Sequence, residues 1–181
     1  MVQLVYLILC MFFKVLPLLI FASAFSKPAI ITKIIDGDTI HAKQDGKLIK
    51  VRLHCIDTPE SKMVGKQKAQ IVGGVNYGDL ATQHLKEMLS TGETVDLKCF
   101  ESDRYERSVC VAWKEGLNIN YLMLADGYAW LPKKYCKDIN YEYAFESAKN
   151  SKLGLHSYDG FGDPQIFRNC ARNNLKADCN N

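Results

Sequence analysis

The chain has 181 residues with a hydrophobic share of 48%, enough for one proper core and short for two domains of ordinary size. Its formal charge of +3 and pI near 8.4 are only mildly basic. That balance excludes the dense positive field of a protein that binds chiefly by neutralising phosphates.

Residues 1–26 are almost wholly apolar apart from Lys14 and include Ala22-Ser23-Ala24, a small-x-small cleavage pattern at the end of an export signal. The order Met11-Phe12-Phe13-Lys14 and then an apolar run to Phe21 points to Met11 as the true start. The competing reading is an uncleaved membrane anchor over residues 4–25, because about 20 apolar residues span a bilayer, with Lys14 expensive inside it. Removing residues 1–24 takes away one lysine, no acid and Cys10. Six cysteines then remain: Cys55, Cys99, Cys110, Cys136, Cys170 and Cys179. An even number suits an oxidising compartment, and sequence does not rank their 15 pairings. At least one disulfide is expected to tie the tail cysteines, Cys170 or Cys179, to the body. Alternatively, Cys55 and Cys110 are simply buried small hydrophobes. Zinc is disfavoured, since there is no Cys-x-x-Cys pair and His41, His54, His84 and His156 are scattered.

Residues 29–35, 39–43 and 48–56 read as strands, the last two joined by a turn at Gln44-Asp45-Gly46. In the third run Val51, Leu53 and Cys55 alternate with Arg52, His54 and Ile56, so the strand period sets Arg52 opposite Val51 and Leu53. Residues 61–78 read as a mobile loop. A helix follows over 79–89, with Asp79 as its cap and Gly92 beyond its end. Residues 94–100 and 108–113 form a second pair of strands around a polar turn. Two more helices are expected over 119–125 and 141–153, and residues 157–181 read as an irregular tail. Strands with helices to one side describe an α+β fold, and five strands close naturally as an oligonucleotide-binding-type barrel.

The chemistry concentrates in Ile35-Asp36-Gly37-Asp38-Thr39 and Arg52-Leu53-His54-Cys55-Ile56-Asp57-Thr58-Pro59-Glu60. Asp38 begins one strand and Asp57 ends its neighbour, so a hairpin brings both carboxylates to one end of the sheet. Two carboxylates with nearby carbonyls make an oxygen-only site suited to a hard cation such as calcium. Pro59 biases Thr58 towards an extended backbone, which aims the Thr58 carbonyl and the Glu60 side chain. Phosphodiester hydrolysis needs charge stabilisation and an activated water. Arg52 supplies one planar fork for phosphate, and Arg107, in Asp103-Arg104-Tyr105-Glu106-Arg107, a second.

Taken together these motifs resemble the thermonuclease (staphylococcal nuclease-like) family from about residue 29 to 157. The resemblance rests on residues 35–39, on Arg52 with Asp57-Thr58-Pro59-Glu60, on Asp103-Arg104-Tyr105-x-Arg107, on Asn120 and on Gly127-Tyr128-Ala129-Trp130. It implies an oligonucleotide-binding-type barrel with three helices, forming a domain at 25–157 followed by a cysteine-containing tail at 158–181. It also implies calcium held by Asp38, Asp57 and the Thr58 carbonyl, Glu60 as general base, and Arg52 and Arg107 as phosphate clamps. Water would attack phosphorus in DNA or RNA and leave 3′-phosphate ends. Arg104, Tyr105 and Tyr135 are the candidate substrate contacts, while Tyr128 and Trp130 read as core aromatics. The family usually has Gly where this chain has Glu106, so a positive φ there would cost on the order of 1 kcal/mol. The alternatives are a barrel that binds nucleic acid without turnover and a secreted disulfide-rich interaction protein. A monomer is expected, touching a membrane only if the leading segment stays attached.

Overall fold

A computed structural model describes residues 26–61 and 69–173. The expected export segment, the basic run Lys62, Lys66 and Lys68, and Cys179 lie outside the described residues. Strand β1 (Lys27–Ile34) pairs antiparallel with β2 (Thr39–Gln44), and β2 with β3 (Lys47–Leu53). The β2–β3 connection turns on Asp45 and Gly46 at φ 50° and 78°. Both left-handed values match a two-residue hairpin whose twist suits the flanking strands.

A short hairpin, β4 (Ile71–Val72) and β5 (Val75–Asn76), leads directly into helix α1 (Tyr77–Met88). The described part of the stretch read as a loop is therefore ordered into elements. The α1 cap is Asn76, whose side chain accepts from the Gly78 and Asp79 amides at 3.1 and 3.3 Å. Asp79, expected as the cap, lies in the first turn instead, where its charge complements the helix dipole.

Strand β6 (Thr94–Ser102) pairs with β1 and with β7 (Ser108–Lys114), and β7 runs parallel to β3. That last pairing closes five strands into a barrel, giving the α+β fold expected. The two-residue β8 (Leu117–Asn118) extends β7 into α2 (Ile119–Ala125). Helix α3 (Ile139–Asn150) begins two residues earlier than its apolar pattern suggests, because Asp138 caps it through the Asn140 amide at 2.8 Å.

Ile31, Ile40, Val51, Leu53, Leu97 and Ala112 fill the barrel, while Ala81, Leu85, Met123 and Phe145 bring the helices onto it. Each large buried aliphatic contributes about 2 kcal/mol. In β3, Val51 and Leu53 are buried while Arg52 between them stays partly accessible, as the strand period requires.

Two expectations need correction. The tail is not irregular throughout: α4 (Pro164–Arg172) forms a fourth helix, with Pro164 in its first turn and Asp163 accepting from the Gln165 amide at 2.7 Å. Nor is Cys170 bridged to Cys55, Cys99, Cys110 or Cys136. Cys55 pairs with Cys136 and Cys99 with Cys110, because the strand register brings Cys99 opposite Cys110. Cys170 is itself disulfide-bonded. Among the described residues no helix is long and apolar enough to cross a membrane.

Candidate active site

The turn into β2 is built around Gly37, where a Cβ would lie 2.9 Å from both Thr58 Cγ2 and Ala81 Cβ. Any side chain would push the two loops apart. Asp36 Oδ1 accepts the Asp38 amide at 3.1 Å, the local bond that makes Asp a turn residue. Asp38 is buried, and its Oδ2 accepts from the Thr58 amide at 2.8 Å and the Thr58 hydroxyl at 3.0 Å. Its Oδ1 accepts the Thr39 hydroxyl at 2.9 Å. The two halves of the motif are thus bonded to each other directly.

Beyond β3 the chain reverses at Cys55, which has φ 63° and is held by its disulfide to Cys136. Asp57 then exchanges both backbone bonds with Trp130, at 2.9 and 2.8 Å. Asn120, fully buried in α2, accepts the Ala112 amide at 3.0 Å and donates to the carbonyls of His54 at 2.8 Å and Cys110 at 3.1 Å. The family motifs around Asn120 and Trp130 are therefore scaffolding that sets where Asp57 and Thr58 sit. Trp130 packs its ring on Phe145 and Phe161, and Tyr128 stacks on His84, as core aromatics should.

Arg52 lies between the two carboxylates, ion-paired with Asp38 and, at 2.8 Å, with Asp57. Burial pulls its pKa down, and Asp57 opposes that pull. Asp36 is pushed above the usual carboxylate range by burial, with Arg52 working against the rise. Glu60 is likewise pushed up by burial, with Arg168 opposing. The backbone at Glu60 is crowded by α1: a Cβ on Gly78 would fall 2.3 Å from the Glu60 carbonyl carbon. Glycine at that position lets the helix start approach the loop.

Arg107 stands at the margin of this cluster. The parallel register sets Ser108 against Val51 and Val109 against Arg52, so Arg107 leads into β7 beside β3, and the charge of Arg107 is felt at both Arg52 and Asp36. Its guanidinium bonds to Asp103 Oδ2 at 2.7 Å, and Asp103 Oδ1 also accepts the Tyr105 and Arg107 amides. Burial works against the Asp103 carboxylate, yet these bonds hold it below its usual range. Glu106 has φ 60°, so the turn does demand the left-handed conformation that glycine would take without strain. Arg104 and exposed Tyr105 share this tip, with both arginines against the Tyr105 ring. Exposed Tyr135 lies apart beside Lys134, next to the Cys136 bridge.

One participant escaped sequence reasoning. Arg168 of α4 reaches back to Asp57, with Nη2 2.5 Å from Oδ2. Its Nη1 donates to the Thr58 carbonyl at 3.4 Å and lies 3.6 Å from Glu60 Oε1. The sequence signal for its helix was Asp163-Pro164, a cap followed by proline in the first turn, but no spacing linked it to residues 57–60.

Asp38, Asp57 and the Thr58 carbonyl form an all-oxygen donor set, and a positive group already rests on two of its members. That chemistry fits a hard cation. No group of three His, Cys, Asp or Glu side chains arranged to hold a metal occurs among the described residues, so the backbone carbonyl is needed as a donor.

Comparison with known proteins gives the family. Residues 50–158 match the family described as staphylococcal nuclease homologue. A protein of Escherichia coli O157:H7 named an uncharacterized endonuclease is 30% identical over 163 residues, covering 86% of this chain and 97% of the relative. A Haemophilus influenzae protein of the same name is 32% identical over 149 residues, covering 82% of this chain and 76% of its own. A Shigella flexneri protein named micrococcal nuclease is 32% identical over 155 residues, covering 79% of this chain and 81% of its own. On this match and these relatives, the chain belongs to the staphylococcal nuclease homologue family, a family of metal-dependent nucleases.

Proposed function

We propose that this protein is an exported, calcium-dependent nuclease that hydrolyses phosphodiester bonds in DNA or RNA and leaves 3′-phosphate ends. Nuclease activity comes with the family and its relatives. The single observation that carries the finer reading is the meeting of Asp38, Arg52, Asp57, Thr58 and Glu60 at one end of the barrel.

Calcium held by Asp38, Asp57 and the Thr58 carbonyl would polarise the phosphoryl oxygens as a Lewis acid. Arg52, aimed at this spot from β3, pairs the non-bridging oxygens, and Arg107 does the same from the opposing hairpin once its fork leaves Asp103. Glu60 takes a proton from the attacking water; its partial burial raises its basicity, the direction that favours a general base. Oxygen from water bonds to phosphorus as the bond to the 5′ oxygen breaks, leaving 3′-phosphate and 5′-hydroxyl ends. Arg104, Tyr105 and Tyr135 contact flanking nucleotides, the tyrosines by stacking. Export is supported by the leading apolar segment and by disulfides, which persist in oxidising compartments.

Purified protein incubated with single- and double-stranded DNA and with RNA, with calcium or with chelator, tests the reading. Cleavage that requires calcium and yields ends accepted by a kinase only at the 5′ side is expected. Cleavage that persists in chelator, or ends carrying 5′-phosphate, contradicts it.

A further inference from the structure

Helix α4 lies beyond the stretch that matches the family, which ends at residue 158. It has more than one hold. Phe161, just before it, packs on Tyr77, Trp130 and His156. Pro164 in its first turn is buried, and Cys170 within it is disulfide-bonded. Arg168 is therefore one tie among several, and its contacts fall on the cluster at the end of the barrel.

Its side chain, 14% exposed, lays one fork across two carboxylates: Nη2 lies 2.5 Å from Asp57 Oδ2 and Nη1 lies 3.6 Å from Glu60 Oε1. The neighbouring site residues are fixed without it. Thr58 is bonded to Asp38 through its amide and hydroxyl, the Asp57 backbone is paired with Trp130, and the Asp57 carboxylate is paired with Arg52. Glu60 differs, because among the described residues Arg168 is the one side chain that pairs with its carboxylate. A glutamate side chain spreads over several rotamers unless something holds it. A general base works only within hydrogen-bond reach of the water it deprotonates, and a displacement of about 1 Å can cost on the order of 100-fold in rate. At 3.6 Å the pair with Glu60 is longer than a hydrogen bond, so it steers the carboxylate and leaves its lone pairs open to water. Asp57 carries about four lone-pair sites on its two oxygens, enough to accept from Arg52 and Arg168 and still face a cation.

We infer that Arg168 is a positioning residue for cleavage: from outside the stretch that matches the family, its planar fork ties the Glu60 carboxylate to Asp57 and so sets where the base stands. This rests on the reading of Glu60 as the base given above. The tail is then part of the working site rather than an appendage to it. A lysine at this position keeps the charge, but a single point charge does not span both carboxylates.

The test is a double-mutant cycle on the full chain under single-turnover conditions, where slow variants stay measurable, with each protein at the calcium concentration that gives its highest rate. It compares wild type, Arg168→Ala, Glu60→Gln and the double variant, beside Arg168→Lys and Arg172→Ala. Arg172 bonds to the Arg168 carbonyl and to Asn169 on the helix surface, so its loss removes a charge from α4 without touching the site. Arg168→Ala should cleave about 10- to 100-fold more slowly. Its half-saturating substrate concentration should change less than about twofold, the pattern of an interaction lost from the chemical step. In the Glu60→Gln background the same substitution should change the rate less than about twofold, because residues that act through one group are not additive. Arg168→Lys should stay nearer to Arg168→Ala than to the wild type, and Arg172→Ala should match the wild type. With Glu60→Gln slow, any of four results would overturn the inference alone: a wild-type rate in Arg168→Ala, a loss confined to substrate affinity, the same loss in both backgrounds or in Arg172→Ala, or full recovery by lysine. A Glu60→Gln variant as fast as the wild type would overturn the base assignment and the inference with it.

Discussion

At the scale of single residues, the geometry separates side chains that meet in one cluster from those that hold the frame around it. Asp38, Arg52, Asp57, Thr58 and Glu60 were legible because a two-residue hairpin with a fixed register leaves little freedom in where their side chains meet. Asn120 was legible as a motif but not as a role, since two of its partners, Ala112 and Cys110, come from β7 and the third, His54, from the turn after β3. Replacing it by alanine takes this partner from the Ala112 amide and the His54 carbonyl, while the Cys110 carbonyl keeps the His54 amide at 2.8 Å. The expected cost is about 1–3 kcal/mol for each buried group orphaned, read from urea denaturation. Glu106 is the converse case, a residue the turn tolerates at a cost. Glu106→Gly should gain about 1 kcal/mol by releasing a left-handed side chain, with no loss of nuclease rate, and a fall in denaturation midpoint would contradict the strained-turn account.

Among the elements, those with a strong period or turn signal were placed within a few residues, and the discrepancies have physical causes. Helices α1 and α3 start early because Asn76 and Asp138 satisfy amides that an apolar pattern does not reveal. Helix α4 was missed because the contacts of Arg168 with residues 57–60 are long-range and no sequence spacing encodes them. The turn at Gly154–Ser157 makes a pH prediction. His156 sits among Trp130, Phe145 and Phe161, and burial, with Lys149 adding, lowers its pKa to about 4. The unfolded chain takes up this proton near its ordinary pKa of about 6.5, before the folded one does. Stability is therefore lost as pH falls from that value towards 4. His156→Phe removes this loss, so its stability relative to wild type should improve between pH 7 and pH 4.5 in paired urea titrations. A constant difference would rule the histidine out.

For the whole molecule, the barrel is closed by a parallel pairing of β3 with β7 and pinned by two disulfides of very different span, 81 and 11 residues. On a chain-entropy view, removing Cys55–Cys136 should cost about 4.5 kcal/mol and Cys99–Cys110 about 3 kcal/mol. The larger loss should also carry a loss of activity, since Cys55 starts the loop to Asp57. Paired serine variants, assayed for unfolding and cleavage, check both statements. That Cys99 pairs with Cys110 across two strands was not readable from sequence, because cysteine spacing does not encode strand register. The central claim is that this barrel hydrolyses nucleic acid through the cluster at its end, with Glu60 as the base. Single-turnover cleavage by Glu60→Gln, with substrate affinity measured alongside, tests it most directly. The account predicts a rate at least about 100-fold lower, the lower bound for loss of a general base, at unchanged affinity; a variant that cleaves as fast as the wild type would contradict it.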